Sequence, residues 1–123
     1  MKSSQKLQLN GWIIPLAYVL VKQIPYIAGR ARYADIPRGD IIGDNVGFLK
    51  LLFHRDDLRL LGVHVMGEQA TEVVHVGLIA MMMDATAELF NRACFNYPTL
   101  GDLYKYAAYD AILQITKKVN HER

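Results

Sequence analysis

Four groups of side chains in this sequence carry chemistry worth weighing. They are the histidines His54, His64, His75 and His121, the lone Cys94, the hydroxyls of Ser3 and Ser4, and Tyr97-Pro98-Thr99 with Asp102 just beyond. Imidazoles ligate transition metals when several meet, usually with a thiolate or carboxylate completing the shell. His54 and His64 fall on the two arms of a predicted hairpin, where they can approach each other, and His75 follows on a helix. No Asp or Glu completes a ligand pattern around them and His121 lies in the tail, so the expectation is surface histidines and no metal. Serine nucleophiles are set aside because both serines stand at the N-terminus. Cys94 reads as a small buried hydrophobe rather than a nucleophile. The chain shows no G-x-G-x-x-G, no phosphate-binding P-loop and no C-x-x-C; Gly39, Gly43 and Gly47 read as turns.

Composition narrows the class. A length of 123 residues with 52% apolar and 21% charged residues fits one globular domain. The net charge of +2 is spread along the chain, which argues against a nucleic-acid partner. One cysteine excludes an intrachain disulfide and suits a reducing cytoplasm. The apolar run Gly11 to Val21 contains Pro15 and is too short to cross a bilayer, so neither a membrane span nor a signal peptide is expected.

The elements that must position these residues follow from periodicity. Leu49, Leu51 and Phe53 alternate with Lys50 and His54, and Leu61, Val63 and Val65 alternate beyond the polar turn Asp56-Asp57-Leu58-Arg59. That pattern predicts an antiparallel hairpin with one buried face. A short strand is expected within Pro25 to Tyr33, and a loop over Ile36 to Asn45. Glu68 to Met83 reads as a helix, apolar nearly all round from Val73 onward except for His75 and Gly77. Such a helix is buried on all sides, which one small sheet hardly manages, so its second face is expected to meet another subunit. Val73, Val76, Ile79 and Met82 are the candidate interface residues. The Met81-Met82-Met83 run suits the filling of gaps in a core or interface.

Thr86 is placed to cap a short helix over Ala87 to Ala93, and Cys94 to Pro98 is an extended connection. Leu100, Leu103, Tyr104, Ala107, Ala108, Ala111, Ile112 and Ile115 follow helical spacing in the last element. Thr99 and Asp102 form a T-x-x-D variant of the capping box at its start. The small-residue side of this helix is counted with the candidate interface. Strand, hairpin and then helices predict an α+β domain, an antiparallel sheet with helices packed on one face.

Five segments occur in order and in register: Pro25-Tyr26 with Gly29-Arg30-Ala31, Gly47 to Leu51, Leu61 to Gly67, Glu72-Val73-Val74-His75, and Phe95-Asn96-Tyr97-Pro98-Thr99. Together, over Pro25 to Gln114, they resemble the dimerisation domain of the pyridine nucleotide–disulfide oxidoreductase family, and within it the transhydrogenase branch. The resemblance implies a domain over 25–116, with an unassigned segment 1–24 and a polar tail 117–123. It implies FAD- and NAD(P)-binding domains elsewhere in a full-length enzyme, a homodimer, and hydride exchange between NADPH and NAD+ as the reaction. It also implies that Tyr97 and Pro98 lie toward the flavin of the partner subunit. In the disulfide reductases that loop reads H-x-H-P-T-x-x-E, and its second His with the Glu handles protons. Here Tyr97 holds the His position and Asp102 the Glu position, and a phenol is a poor general base at neutral pH. No catalytic residue is therefore assigned, and the isolated chain is expected to bind no cofactor. Two other readings stand beside this one. The chain is then a free-standing homodimeric module that docks on a full-length relative or on separately encoded FAD and NAD domains, or an unrelated small enzyme using His64, His75 or Tyr97.

Overall fold

The fold is taken from a computed structural model that describes residues 22–122. Three antiparallel strands stand in the order β1-β2-β3: β1 (Tyr26–Arg32), β2 (Phe48–His54) and β3 (Leu60–Met66). Four helices complete the described fold: α1 (Pro37–Ile42), α2 (Ala70–Met82), α3 (Ala87–Arg92) and α4 (Asp102–His121). A single 3-10 turn, Tyr33–Asp35, leads into α1. The main core lies between one sheet face and α2, α3 and α4, as the α+β expectation requires.

Alternation gives β1 two unlike sides. Ile27, Gly29 and Ala31 are buried toward the helices, while Arg30 and Arg32 are exposed. The buried side is small because α4 lies directly on it through Ala107, Ala108 and Ala111, all fully buried. A Cβ added at Gly29 would stand 2.0 Å from the Ala107 carbonyl oxygen. The small-residue side of α4 is thus core rather than interface, because its alanines are what let helix and strand touch. From α4, Asp110 accepts the Arg30 backbone N–H at 2.9 Å and Gln114 donates to the Ala28 carbonyl at 2.9 Å. These side chains occupy the outer edge of β1 where another strand would otherwise pair.

The hairpin forms as expected, with two corrections: Leu52 is fully buried on the side expected to be polar, and the register shifts. Leu49 pairs with Val65 and Leu51 with Val63, but the register then shifts, so that Leu52 pairs with Gly62 and Phe53 with Leu60. Leu61 is the additional residue of a bulge, which reverses the alternation beyond it. Leu60 therefore takes the core position expected for Leu61, and Leu61 joins Leu52, Ile24, Tyr26 and Ala28 in a second apolar group. At the turn, Leu58 is left-handed (φ 61°), and Asp57 accepts the Arg59 N–H.

The expected loop over Ile36 to Asn45 contains α1 instead. Pro37 opens it, where a missing N–H costs nothing, and Gly43 ends it in the left-handed region (φ 74°). Asp44 then ties the chain back: its carboxylate accepts the N–H groups of Val46, Gly47 and Glu68 at 2.8–3.0 Å. Beside it, the fully buried Tyr33 donates to the Glu68 carbonyl at 2.8 Å. Glu68 consequently belongs to this turn, and α2 begins at Ala70 after the left-handed Gln69.

Phe53, Phe90 and Tyr104 stack the sheet, α3 and α4 together, with ring centroids 6.5 Å apart for the first pair and 5.2 Å for the second. Tyr104 also reaches α2. Its hydroxyl donates to the Val73 carbonyl and accepts the Gly77 N–H at 2.9 Å, so it bridges two groups that a regular helix would join to each other. A Cβ at Gly77 would come 2.5 Å from Val63 and 3.1 Å from that hydroxyl. The gap in the apolar pattern at Gly77 is therefore where α2 meets both β3 and α4.

Burial raises the pKa of Tyr104, and burial followed by the charges of Asp44 and Glu68 pushes Tyr33 up to about 12. Both folded-state values lie above the tyrosine value of about 10 in an unfolded chain, so above that pH the folded form binds more protons. Stability should be full below about pH 10 and fall as pH rises through Tyr33's folded value. Tyr104→Phe should cost about 1–3 kcal/mol at neutral pH and make the alkaline decline shallower. Urea denaturation of both proteins from pH 7 to pH 11 checks this.

Candidate interface site

With Tyr104 holding one side of α2, the opposite side is fixed outward. Val76, Ile79, Met82 and Met83 are exposed, Ile79 at 59% and Met83 at 75%. Val73, expected among the interface residues, is only 7% exposed and belongs to the core. It lies one turn before Gly77 on the side that Tyr104 bridges, so its side chain has no route to a partner. Three of the four candidates, Val76, Ile79 and Met82, do present themselves to the surface.

α3 lies beside α2 and makes a groove of it. The groove, about 1140 Å³ in volume, is lined among others by His75, Val76, Ile79, Met83, Leu89 and Arg92. Leu89 is nearly half exposed, whereas its helix neighbours Ala87 and Phe90 are buried. Leu89 was not among the residues expected here; in a six-residue helix its outward direction is set only once Phe90 is placed between Phe53 and Tyr104. Thr86 does stand at the N-cap position, without a side-chain capping bond.

The loop that follows α3 is held from both ends. Lys105 donates to the Ala93 carbonyl at 3.0 Å, and Phe95 packs against the core. Between them Cys94 is exposed, contrary to its expected burial, because Phe95 takes the inward place beside it. Tyr97 is 76% exposed, and its peptide bond to Pro98 is cis. The capping box does not form. Leu100 and Gly101 already turn before α4, so the Thr99 hydroxyl accepts the Gly101 N–H at 3.1 Å, and α4 has no side-chain cap. Asp102 instead donates its backbone N–H to the Thr99 carbonyl at 3.4 Å. At the other end α4 runs on to His121, so Lys117 and Lys118 lie inside the helix rather than in a tail.

The histidines do not gather. His64 stands opposite Lys50 while His54 stands opposite Tyr26, four positions further along β2. At about 3.3 Å per residue this puts them some 13 Å apart. His75 lies in the α2–α3 groove. Among the described residues no group of three or more His, Cys, Asp or Glu side chains is arranged to hold a metal ion. No helix among them is long and apolar enough to cross a membrane.

Comparison with known proteins agrees with this architecture. Residues 19–108 match the model of the pyridine nucleotide-disulphide oxidoreductase dimerisation domain. Over 89 residues the chain is 49% identical to the soluble pyridine nucleotide transhydrogenase of Mycobacterium bovis, a match covering 72% of this chain and 19% of that protein. The soluble pyridine nucleotide transhydrogenase of Hahella chejuensis is 44% identical over 96 residues, covering 76% of this chain and 21% of the relative. The chain thus spans about a fifth of the length of these relatives. Among solved structures, the HOCl-induced flavoprotein disulfide reductase of Escherichia coli in its Cu(II) complex shares the fold, with a TM-score of 0.68 at 18% identity over 75% of this chain and 22% of its own. A three-stranded antiparallel sheet under this set of helices, matched over most of its described length, makes the chain a member of the pyridine nucleotide-disulphide oxidoreductase dimerisation-domain family.

Proposed function

We propose that this chain pairs with a second copy of itself through the outward side of α2 and the adjoining groove, as the dimerisation domain of a flavoprotein NAD(P)+ transhydrogenase. The observation that carries the reading is the row Val76, Ile79 and Met82, with Met83 and Leu89 beside it, left outside a domain whose core is already closed. An apolar patch rimmed by polar residues marks an interface, and a two-fold contact lets one such patch meet itself. His75, Glu88 and Arg92 supply the polar rim.

Hydride exchange between NADPH and NAD+ belongs, in this reading, to an assembly that also contains FAD- and NAD(P)-binding domains, in the same polypeptide or encoded separately. Tyr97 and Pro98 then lie toward the partner subunit's flavin as a packing contact. The exposure of Tyr97 on an anchored loop supports that role. The described domain has no glycine-rich strand–turn–helix to seat a pyrophosphate, so it supplies pairing rather than chemistry.

Two measurements test the proposal. Sedimentation velocity at tens of micromolar should find a dimer, and Ile79→Glu should lower its association constant at least tenfold, or by about 1.4 kcal/mol, with an unchanged circular dichroism spectrum. A monomeric parent protein, or an unaffected variant dimer, contradicts the proposal. Titration calorimetry with FAD and with NADPH should show no binding tighter than millimolar to this chain alone; micromolar binding of either would move the chemistry into this domain.

A further inference from the structure

The sheet face turned away from the helices carries a feature the pairing role does not use. Arg30 of β1 stands directly opposite Lys50 of β2, and Lys50 directly opposite His64 of β3. With strands about 4.8 Å apart, the Arg30 and Lys50 side chains stand close enough to share one small anion, while His64, whose Nε2 is buried, stands outside this pair. Like charges directly opposite on one face destabilise a sheet, so the arrangement costs stability unless an anion offsets it. Arg30 is exposed and Lys50 half-buried. Burial, and then the charge of Arg30, lowers the Lys50 pKa.

Among the described residues no carboxylate relieves the pair. Neither side chain forms an ion pair among them, although Arg32, two positions along β1, has Asp35 at 2.9 Å. Asp110, which does touch Arg30, accepts the backbone N–H rather than the guanidinium. The first acidic residue of the chain is Asp35, so residues 1–34 contribute no carboxylate to this face.

We propose that Arg30 and Lys50 form a binding site for a phosphate-type oxyanion on the face of the sheet opposite the helices. The planar guanidinium offers paired donors and the ammonium a point charge, the combination that recognises a tetrahedral oxyanion from two sides. A single compact anion fits one such pair better than an extended acidic chain, which needs a longer stripe. Free inorganic phosphate and the phosphate of a nucleotide present the same chemistry.

Melting temperatures of the whole chain in phosphate and in chloride, at matched pH and ionic strength, test the site. The unaltered protein and Arg32→Gln should gain about 4 °C more in phosphate than Arg30→Gln and Lys50→Met do. In chloride, Lys50→Met should be at least as stable as the parent, since it removes one of two opposed charges. AMP giving a larger shift than phosphate, with adenosine giving none, would identify a nucleotide phosphate as the ligand; equal shifts would identify the free ion. Equal gains in all four proteins would reduce the effect to general salting-out and overturn the site. A Lys50→Met protein that is less stable in chloride and equally stabilised by phosphate would make Lys50 structural and overturn it too.

Discussion

One hydroxyl group organises this domain. Tyr104 of α4 stands between the Val73 carbonyl and the Gly77 N–H of α2, with its hydroxyl hydrogen-bonded to both. A buried hydroxyl without partners costs several kcal/mol, and buried helix groups left unpaired cost as much again. The arrangement avoids both costs only at one rotation of α2 about its axis. That rotation carries Val73, Val74 and Ala80 into the core and turns Val76, Ile79 and Met82 outward. The surface offered to a partner is in this sense decided from inside.

The same economy explains why the residues at the contacts are small. Gly77 admits the hydroxyl and the Val63 side chain, and Gly29 admits the backbone of α4 at Ala107. Close-packed interiors leave no slack at such points. Asp44 and Tyr33 do comparable work at the far end, tying the turn around Gly47 to the start of α2 through Glu68. Two polar anchors thus hold α2, one at its start and one at its middle, while its outer side stays apolar.

Much of this was legible in the sequence, and the rest was not for definite reasons. The alternation through Leu49, Leu51 and Phe53 marks the core side of the hairpin, although Leu52 is buried on the other side, and the spacing from Leu103 to Ala111 marks α4. The five segments in register resemble the family in sequence alone. In α2 apolar residues occur all round, so periodicity does not say which side faces in, and Val73, expected at the interface, is buried in the core. The bulge at Leu61 was hidden because Leu60 and Leu61 are adjacent and equally apolar, so either could take the core position. α1 is too short for a period to show, and the Thr99 cap failed because Leu100 and Gly101 turn before the helix proper. In each case a tertiary contact decided between local alternatives of nearly equal energy.

If the outward side of α2 meets its own copy, a chemical cross-link there captures the contact most directly. Cys94 is exposed and is first replaced by alanine, after which a single cysteine is introduced at Ile79 or, as a control, at Val46, which is 76% exposed and lies outside the groove. Under mild oxidation at low micromolar concentration, Ile79→Cys should form a disulfide-linked dimer and Val46→Cys should remain monomeric on a non-reducing gel. Equal cross-linking of the two, or none at Ile79, would contradict the account.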